Sequence, residues 1–177
     1  DVDGLKTSDY LLQTAKEHIE GKIDIKSVQR RIESYYEEAE RKRDIALETK
    51  EADIVSARIT EILSEKTFQF SPAELMSIHR RLFDGVFKEA GKLRDYNITK
   101  NEWVLNGETV IYASYNSLQE TLDYDFKTEK AFSYEGLSLV EAIKHLAKFT
   151  SDIWQIHPFG EGNTRATAVF IIKYMRT

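Results

Sequence analysis

Nine residues near the C-terminal end combine most of the chemistry this chain can perform: His157-Pro158-Phe159-Gly160-Glu161-Gly162-Asn163-Thr164-Arg165. His157 titrates near neutrality and can take a proton from an attacking hydroxyl. Glu161 suits a divalent cation that bridges phosphates. Asn163 can donate to a phosphate oxygen, and Arg165 can grip phosphate oxygens bidentately. Gly160 and Gly162 accept backbone angles that turn successive N–H groups toward one point. The run then enters a helix, whose N-terminus adds partial positive charge and unpaired donors. These residues describe a phosphate cradle beside a general base. A plainer reading stays open: His157 packed on a core helix, Asn163-Thr164 as a cap, and Glu161 complementing the helix dipole.

The flanking elements must hold that loop. Pro158 stops the preceding helix near Ile156. That helix opens at Ser138-Leu139-Val140-Glu141, a capping box, with Val140, Ile143, Leu146, Ile153 and Trp154 expected inward. The segment after the loop, Ala166 to Met175, is apolar almost all round and predicts a central buried helix. Ser71-Pro72-Ala73-Glu74 starts another helix, buried through Leu75, Ile78, Leu82 and Phe83. Leu118, Leu122 and Phe126 predict one more. Near the N-terminus, Thr7 and Ser8 cap a short helix with Leu11, Leu12, Ala15 and Ile19, closed by Gly21. A helical stretch from about Asp24 to Leu63 carries Ile25, Val28, Ile32, Tyr35 and Tyr36 as its stripe, with a break or solvated span expected in the charged run Glu37 to Glu51. Only Trp103 to Tyr112 changes period. Two β-prone runs flank Asn106-Gly107, which predicts a hairpin. The fold class is all-α with one β-hairpin.

Composition narrows the functions. The 177 residues include eight Gly and two Pro, too few for an all-β sandwich or barrel. The net charge of -5 argues against a generally basic nucleic-acid surface. With no cysteine, disulfides, thiolate zinc sites and cysteine nucleophiles are excluded. No apolar run approaches the roughly 20 residues of a membrane span, and no signal-peptide core is visible, so the expectation is a cytoplasmic protein with no membrane partner. The chain starts at Asp1 without Met and stops just after an apolar run, as a fragment would. His18, His79 and His145 share no metal-ligand spacing, and His145 reads as packing.

The nonapeptide resembles the signature of the Fic (Fic/Doc) family, His-x-Phe-x-(Asp/Glu)-Gly-Asn-x-Arg. The similarity runs from about Ile54 to the C-terminus. Most members transfer AMP from ATP to a hydroxyl of a target protein. The resemblance therefore implies ATP as co-substrate, Mg²⁺ as cofactor, and a Ser, Thr or Tyr acceptor deprotonated by His157. Phe159 would anchor the loop and Glu161 would hold Mg²⁺. Gly162 and Asn163 would line the anion hole around the α-phosphate, Arg165 would hold the distal phosphates, and Gly160 and Thr164 would lie beside the phosphates. Ala90-Gly91-Lys92-Leu93-Arg94-Asp95 resembles the stretch ahead of the family's target-docking flap, which places Val104, Leu105, Val110 and Ile111 on the flap. The alternative for the hairpin is a cover over the core.

Two positions depart from the family pattern. Thr164 stands where a third glycine is frequent, and Ala168 where a second arginine is frequent. Thr164 leaves open the transfer of a different phosphate-containing group. Residues 1–66 are similar to an antitoxin-like helical region, and 67–177 to the catalytic core. Ser56-Ala57-Arg58-Ile59-Thr60-Glu61 resembles the inhibitory motif (Ser/Thr)-x-x-x-Glu with its spacing off by one, which makes Ser56 and Glu61 the candidate inhibitory pair; Glu61 as an ordinary helix residue is the alternative. Tyr35 and Tyr36 are either self-modification acceptors or one core and one surface tyrosine. A nucleotide-binding or interaction module without efficient turnover is the rival to an enzyme. Neither the target nor the oligomeric state follows from the sequence.

Overall fold

The computed structural model describes residues 5–42, 49–101 and 109–177, with backbone alone at 39–42, 100–101 and 109. Along them run α1 (Asp9–Ile19), α2 (Ile25–Lys42), α3 (Lys50–Ser64), α4 (Pro72–Phe83), β1 (Thr99–Asn101), β2 (Thr109–Ile111), α5 (Leu118–Ala131), α6 (Leu139–Ile156) and α7 (Asn163–Tyr174). The chain gathers into two compact units, Asp1–Lys66 and Thr67–Thr177. No helix among the described residues is long and apolar enough to cross a membrane.

In the first unit α2 packs against both α1 and α3. Leu11, Val28, Ile32, Tyr36 and Ala57 form its core. The expected stripe of α1 is corrected in part: Leu12 and Ile19 are exposed, while Thr14 is buried beside Leu11. The expected long stretch is divided, since α2 ends at Lys42 and α3 begins at Lys50; residues 43–48 lie outside the described ones. Asp53 is fully buried. Its Oδ1 accepts from the Ser8 amide at 2.9 Å, and its Oδ2 accepts from the Tyr36 hydroxyl at 2.7 Å and from the Ser8 hydroxyl. A buried carboxylate is tolerated when donors replace its lost water, and here they come from two other parts of the unit. Tyr36 is thus a core residue, its hydroxyl pushed up to about 12 chiefly by burial.

In the second unit α7 packs on α4 and α6, and α5 packs on α6. Phe70 sits among Phe126, Phe149, Phe170 and Tyr174, with ring centroids 4.5 to 5.8 Å apart. Such tilted and edge-on aromatic contacts fill the interior with large, stiff groups. Ser71 caps α4 by accepting from the Glu74 amide at 3.1 Å, with Pro72 in the first turn. Leu75, Ile78, Leu82 and Phe83 are buried on α4, as expected. The inward face of α6 needs correction. Ile153 is buried with Phe149 and Ile156, but Val140, Ile143 and Trp154 are exposed. Consecutive helical residues point about 100° apart, and the buried face of α6 centres on Phe149, Ile153 and Ile156, which leaves Trp154 on the outer side. The face toward α5 and α7 is the one through 149, 153 and 156.

β1 and β2 are antiparallel, pairing Thr99 with Ile111, Lys100 with Val110 and Asn101 with Thr109. The described pairing on the first strand therefore begins upstream of the expected Trp103–Leu105 run. Trp103, Val104, Leu105, Asn106 and Gly107 lie outside the described residues. α5, α6 and α7 meet at Glu129, whose carboxylate accepts from the hydroxyls of Tyr134 at 2.6 Å and Tyr174 at 2.7 Å. His145 Nε2 lies 2.6 Å from the other oxygen, and its ring stacks on Phe132 at 3.4 Å. His145 is a packing and hydrogen-bonding residue.

Candidate active site

The loop between α6 and α7 is shaped by its own sequence. Pro158 follows the last turn of α6, and His157 closes that helix in the left-handed region at φ 51, ψ 61. It is the one non-glycine residue with positive φ among those described. Such a conformation costs on the order of 1–3 kcal/mol and persists only where surrounding contacts impose it. Those contacts are present. Arg94 Nε donates to the His157 carbonyl at 2.8 Å, and the Arg94 amide donates to the Pro158 carbonyl at 2.9 Å. The ring of Tyr112 stacks on the imidazole at 4.3 Å. His157 is buried.

Further along, Phe159 is buried and its ring stacks on His79 at 3.8 Å. Asn163 clips the loop at both ends of its amide: Phe159 N–H donates to Oδ1 at 2.9 Å, and Nδ2 donates to the Phe159 carbonyl at 2.7 Å. Its side chain is buried, so it shapes the cradle while its backbone amide opens α7. Gly162 is the N-cap of α7, at φ 74, and no side chain caps that helix. A Cβ there would lie 2.4 Å from Phe83, so the glycine answers both a backbone angle and a close approach. The Arg165 guanidinium lies over the same Phe83 ring at 4.7 Å, a cation–π contact that aims the charge without neutralising it. Gly160 faces the Tyr96 hydroxyl, which a Cβ would meet at 2.6 Å. Thr164 Oγ1 accepts from Trp154 Nε1 at 3.1 Å, so the extra side chain leans back toward α6.

Glu161 is exposed, while its carbonyl accepts from His79 Nε2 at 2.8 Å. The Gly91 amide donates to His79 Nδ1 at 2.8 Å, which fixes the neutral tautomer protonated at Nε2. Burial pushes the His79 ring down to about 4, with the nearby Arg165 charge acting in the same direction. The loop is thus held at His157 and Pro158 by Arg94 and at Glu161 by His79. No group of three or more His, Cys, Asp or Glu able to hold a metal occurs among the described residues. One exposed carboxylate beside an uncapped helix start would suit Mg²⁺ only together with ligand oxygens and waters, which that ion keeps among its ligands.

The structure brings His157, Gly160, Glu161, Gly162, Asn163, Thr164 and Arg165 into this one loop and helix start. Val110 and Ile111 lie on β2, and Ile111 is exposed. An open cleft of about 390 Å³ is lined by Ile111, Tyr112, Asp125, Lys148, Asp152 and Ile156. Burial and the neighbouring Asp152 charge raise the Asp125 carboxyl above its ordinary range. Ser56 and Glu61 lie on α3 of the first unit, where Glu61 accepts from Gln29 Nε2 at 2.6 Å. Sequence reading missed the roles of Arg94, His79, Tyr112 and Phe83. For Arg94 the one signal was its place in the stretch ahead of the hairpin.

The sequence profile of the Fic/DOC family matches residues 69–175. No curated protein sequence matches the chain. Among solved structures, the N-terminal Fic domain of a VirB-translocated Bep effector from Bartonella quintana is similar at TM-score 0.55 and 22% identity, over 72% of this chain and 64% of that one. The type IV secretion effector BepA is similar at TM-score 0.53 and 22% identity, over 76% of this chain and 50% of its own. BepC from Bartonella tribocorum, solved with bound AMPPNP, gives TM-score 0.55 and 24% identity, over 76% and 71%. The chain spans less than two thirds of the first two of these. With the signature loop at the start of α7 and more than half of its length matched, the chain belongs to the Fic/DOC family.

Proposed function

We propose that this protein transfers AMP from Mg·ATP to a Ser, Thr or Tyr hydroxyl of a target protein. The observation that carries the reading is His157, gripped at its carbonyl and its ring, five residues before a helix start that has no side-chain cap and carries Gly162 and Arg165. The AMPPNP bound by BepC, an ATP analogue in a similar fold, supports a nucleotide as the donor.

On this reading the first turn of α7 and the glycine-bearing loop bind phosphate through backbone amides and the helix dipole. Arg165 neutralises distal phosphate charge, and Glu161 would hold Mg²⁺, which supplies further charge neutralisation on the leaving pyrophosphate. His157 accepts the hydroxyl proton as the target oxygen bonds to the α-phosphorus and the bond from that phosphorus to the bridging oxygen breaks. Positioning and electrostatics supply most of the acceleration in such transfers. The target lies along the β1–β2 hairpin by strand addition, with the cleft lined by Ile111 and Tyr112 beside it. A second reading, transfer of another phosphate-containing group, is favoured by Thr164, whose side chain occupies the first turn of α7. The mass added to a modified acceptor separates the two.

The test is incubation with ATP labelled at the α-phosphate. His157→Ala should lower label transfer by about 10²–10⁴-fold with Mg·ATP binding by calorimetry retained. Transfer at the wild-type rate in that variant would refute His157 as the base. Tight binding with no transfer by the wild type, even into a cell lysate, would favour a binding module.

A further inference from the structure

Arg94 is 5% exposed, yet its contacts are made to carbonyl oxygens rather than to a carboxylate. Nε donates to the His157 carbonyl at 2.8 Å and Nη1 to that of Tyr96 at 2.6 Å; Nη2 donates to Ala113 and, at 3.3 Å, to Ile156. The backbone N–H of the same residue adds the Pro158 carbonyl. Burial lowers the guanidinium from its ordinary value, but arginine remains charged in proteins. A desolvated cation with no carboxylate partner among the described residues needs strong acceptors, and the C-terminal carbonyls of α6 at Ile156 and His157 offer the negative end of a helix dipole.

The geography of these acceptors is informative. Tyr96 precedes β1 and Ala113 follows β2, so they are the two stems of the hairpin. Ile156 and His157 are the last residues of α6 and the start of the loop. Ala113 is also the neighbour of Tyr112, whose ring lies on the His157 imidazole. One guanidinium therefore fixes the His157 backbone directly and its ring indirectly, through Ala113 and Tyr112. It acts where the conformation is least self-supporting, at the left-handed residue.

We propose that Arg94 is a positioning residue for the reaction: it locks the hairpin stems to the end of α6 and thereby sets the orientation of the His157 imidazole. The proposal rests on His157 being the base, but its physical core concerns the His157 ring alone and is measurable without turnover. The phosphate cradle is held separately, by His79 on Glu161 and by Asn163 on Phe159. Loss of the Arg94 fork should therefore impair orientation of the base and spare nucleotide binding.

Lysine keeps the charge but cannot span four carbonyls. In the full chain, Arg94→Lys should shift the His157 signal in spectra of ¹⁵N-histidine-labelled protein. That signal is assigned among the four histidines as the one missing in His157→Gln. Transfer of label from ATP should fall about 100-fold in kcat, with the Kd for Mg·ATP within about twofold of wild type. An unmoved His157 signal overturns the proposal, as does an unchanged kcat in an enzyme that turns over. A fall in ATP affinity equal to the fall in kcat overturns it too, since that marks loss of the whole site. If Arg94→Lys loses its cooperative melt, Arg94→Gln, which can still donate to carbonyls, decides in the same spectra: a shifted His157 signal supports the clamp and an unmoved one overturns it. Should the wild type transfer nothing, the reading of the function fails, while the histidine spectra still decide the role of Arg94.

Discussion

Two helices of the second unit begin in opposite ways. α6 starts with Ser138 accepting from the Glu141 amide at 3.3 Å, while Glu141 Oε2 accepts from the Ser138 amide at 2.9 Å and hydroxyl at 2.6 Å. Its third-position amide and its cap amide are answered by its own side chains. α7 starts at Gly162 with no side-chain cap, a bare glycine in the left-handed region. The difference is not one of helix quality, since α7 is the more buried of the two. A self-capped terminus has committed part of its donors and carries a carboxylate of its own, whereas an uncapped one keeps its amides and its positive end for an incoming anion. On the proposed function, the contrast separates a helix start closed by its own side chains from one left open to an anion.

The largest way to break that contrast is Gly162→Ala. The new Cβ meets Phe83 Cε2 at 2.4 Å and Cζ at 2.5 Å, at φ 74. The backbone angle and the collision together cost a few kcal/mol, on the order of 1–3 from overpacking alone. The cradle must shift to relieve them, so Mg·ATP affinity should fall by about 100-fold in calorimetry. Gly136, two residues before the cap of α6, has the same sign of φ at 79 but open space around its Cβ. Gly136→Ala should therefore cost only the backbone term and leave affinity alone. Equal losses from the two would end the distinction drawn here.

Both helix starts were legible in the sequence because each is local. Ser138 and Glu141 are three residues apart, and the loop from His157 to Arg165 puts a base, a carboxylate, two glycines and a guanidinium within nine positions. The all-α class with one strand pair, and the family, follow from similarly local marks. The supports of the loop were not legible. Arg94 reaches His157 across 63 positions and His79 reaches Glu161 across 82. In both cases the partner is a backbone carbonyl, which every residue possesses, so no pair of residue types announces it. Asp53 is likewise distant from its donors, 45 positions from the Ser8 amide and hydroxyl and 17 from the Tyr36 hydroxyl, so spacing does not announce that pairing. The inward face of α6 was misjudged for another reason: Val140, Ile143 and Trp154 form an apolar stripe of helical period, and periodicity does not say which of two stripes is covered.

Acid sharpens the comparison with a smaller effect. His79 holds the Glu161 carbonyl just ahead of α7 and is pushed from 6.5 down to about 4 by burial. The unfolded chain binds the proton more readily, so the contribution of neutral His79 is complete above about 6.5 and is lost as pH falls toward 4. The shift corresponds to a loss on the order of 3 kcal/mol across that window. The box on α6 responds later: Glu141 sits below its ordinary 4.5 because of its Ser138 bonds, and its contribution disappears only under more acidic conditions. Urea unfolding between pH 7 and 4.5 should show falling stability, and His79→Asn should flatten that slope. A slope that persists in the variant would mean some other group controls it.

The smallest expected effect completes the contrast from the other side. Ser138→Ala removes the acceptor for the Glu141 amide and the hydroxyl that binds Glu141 Oε2, leaving the Ser138 backbone amide bond to that carboxylate. Loss of such a cap costs about 1 kcal/mol of stability, read as a lower urea midpoint at unchanged slope. The loop lies at the far end of α6, and nothing in its hydrogen bonding passes through Ser138. Mg·ATP affinity and label transfer should therefore stay at wild-type values. A measurable loss of affinity in Ser138→Ala would show that the two helix starts are energetically coupled, and that the division between a stabilising terminus and a binding terminus is false for this fold.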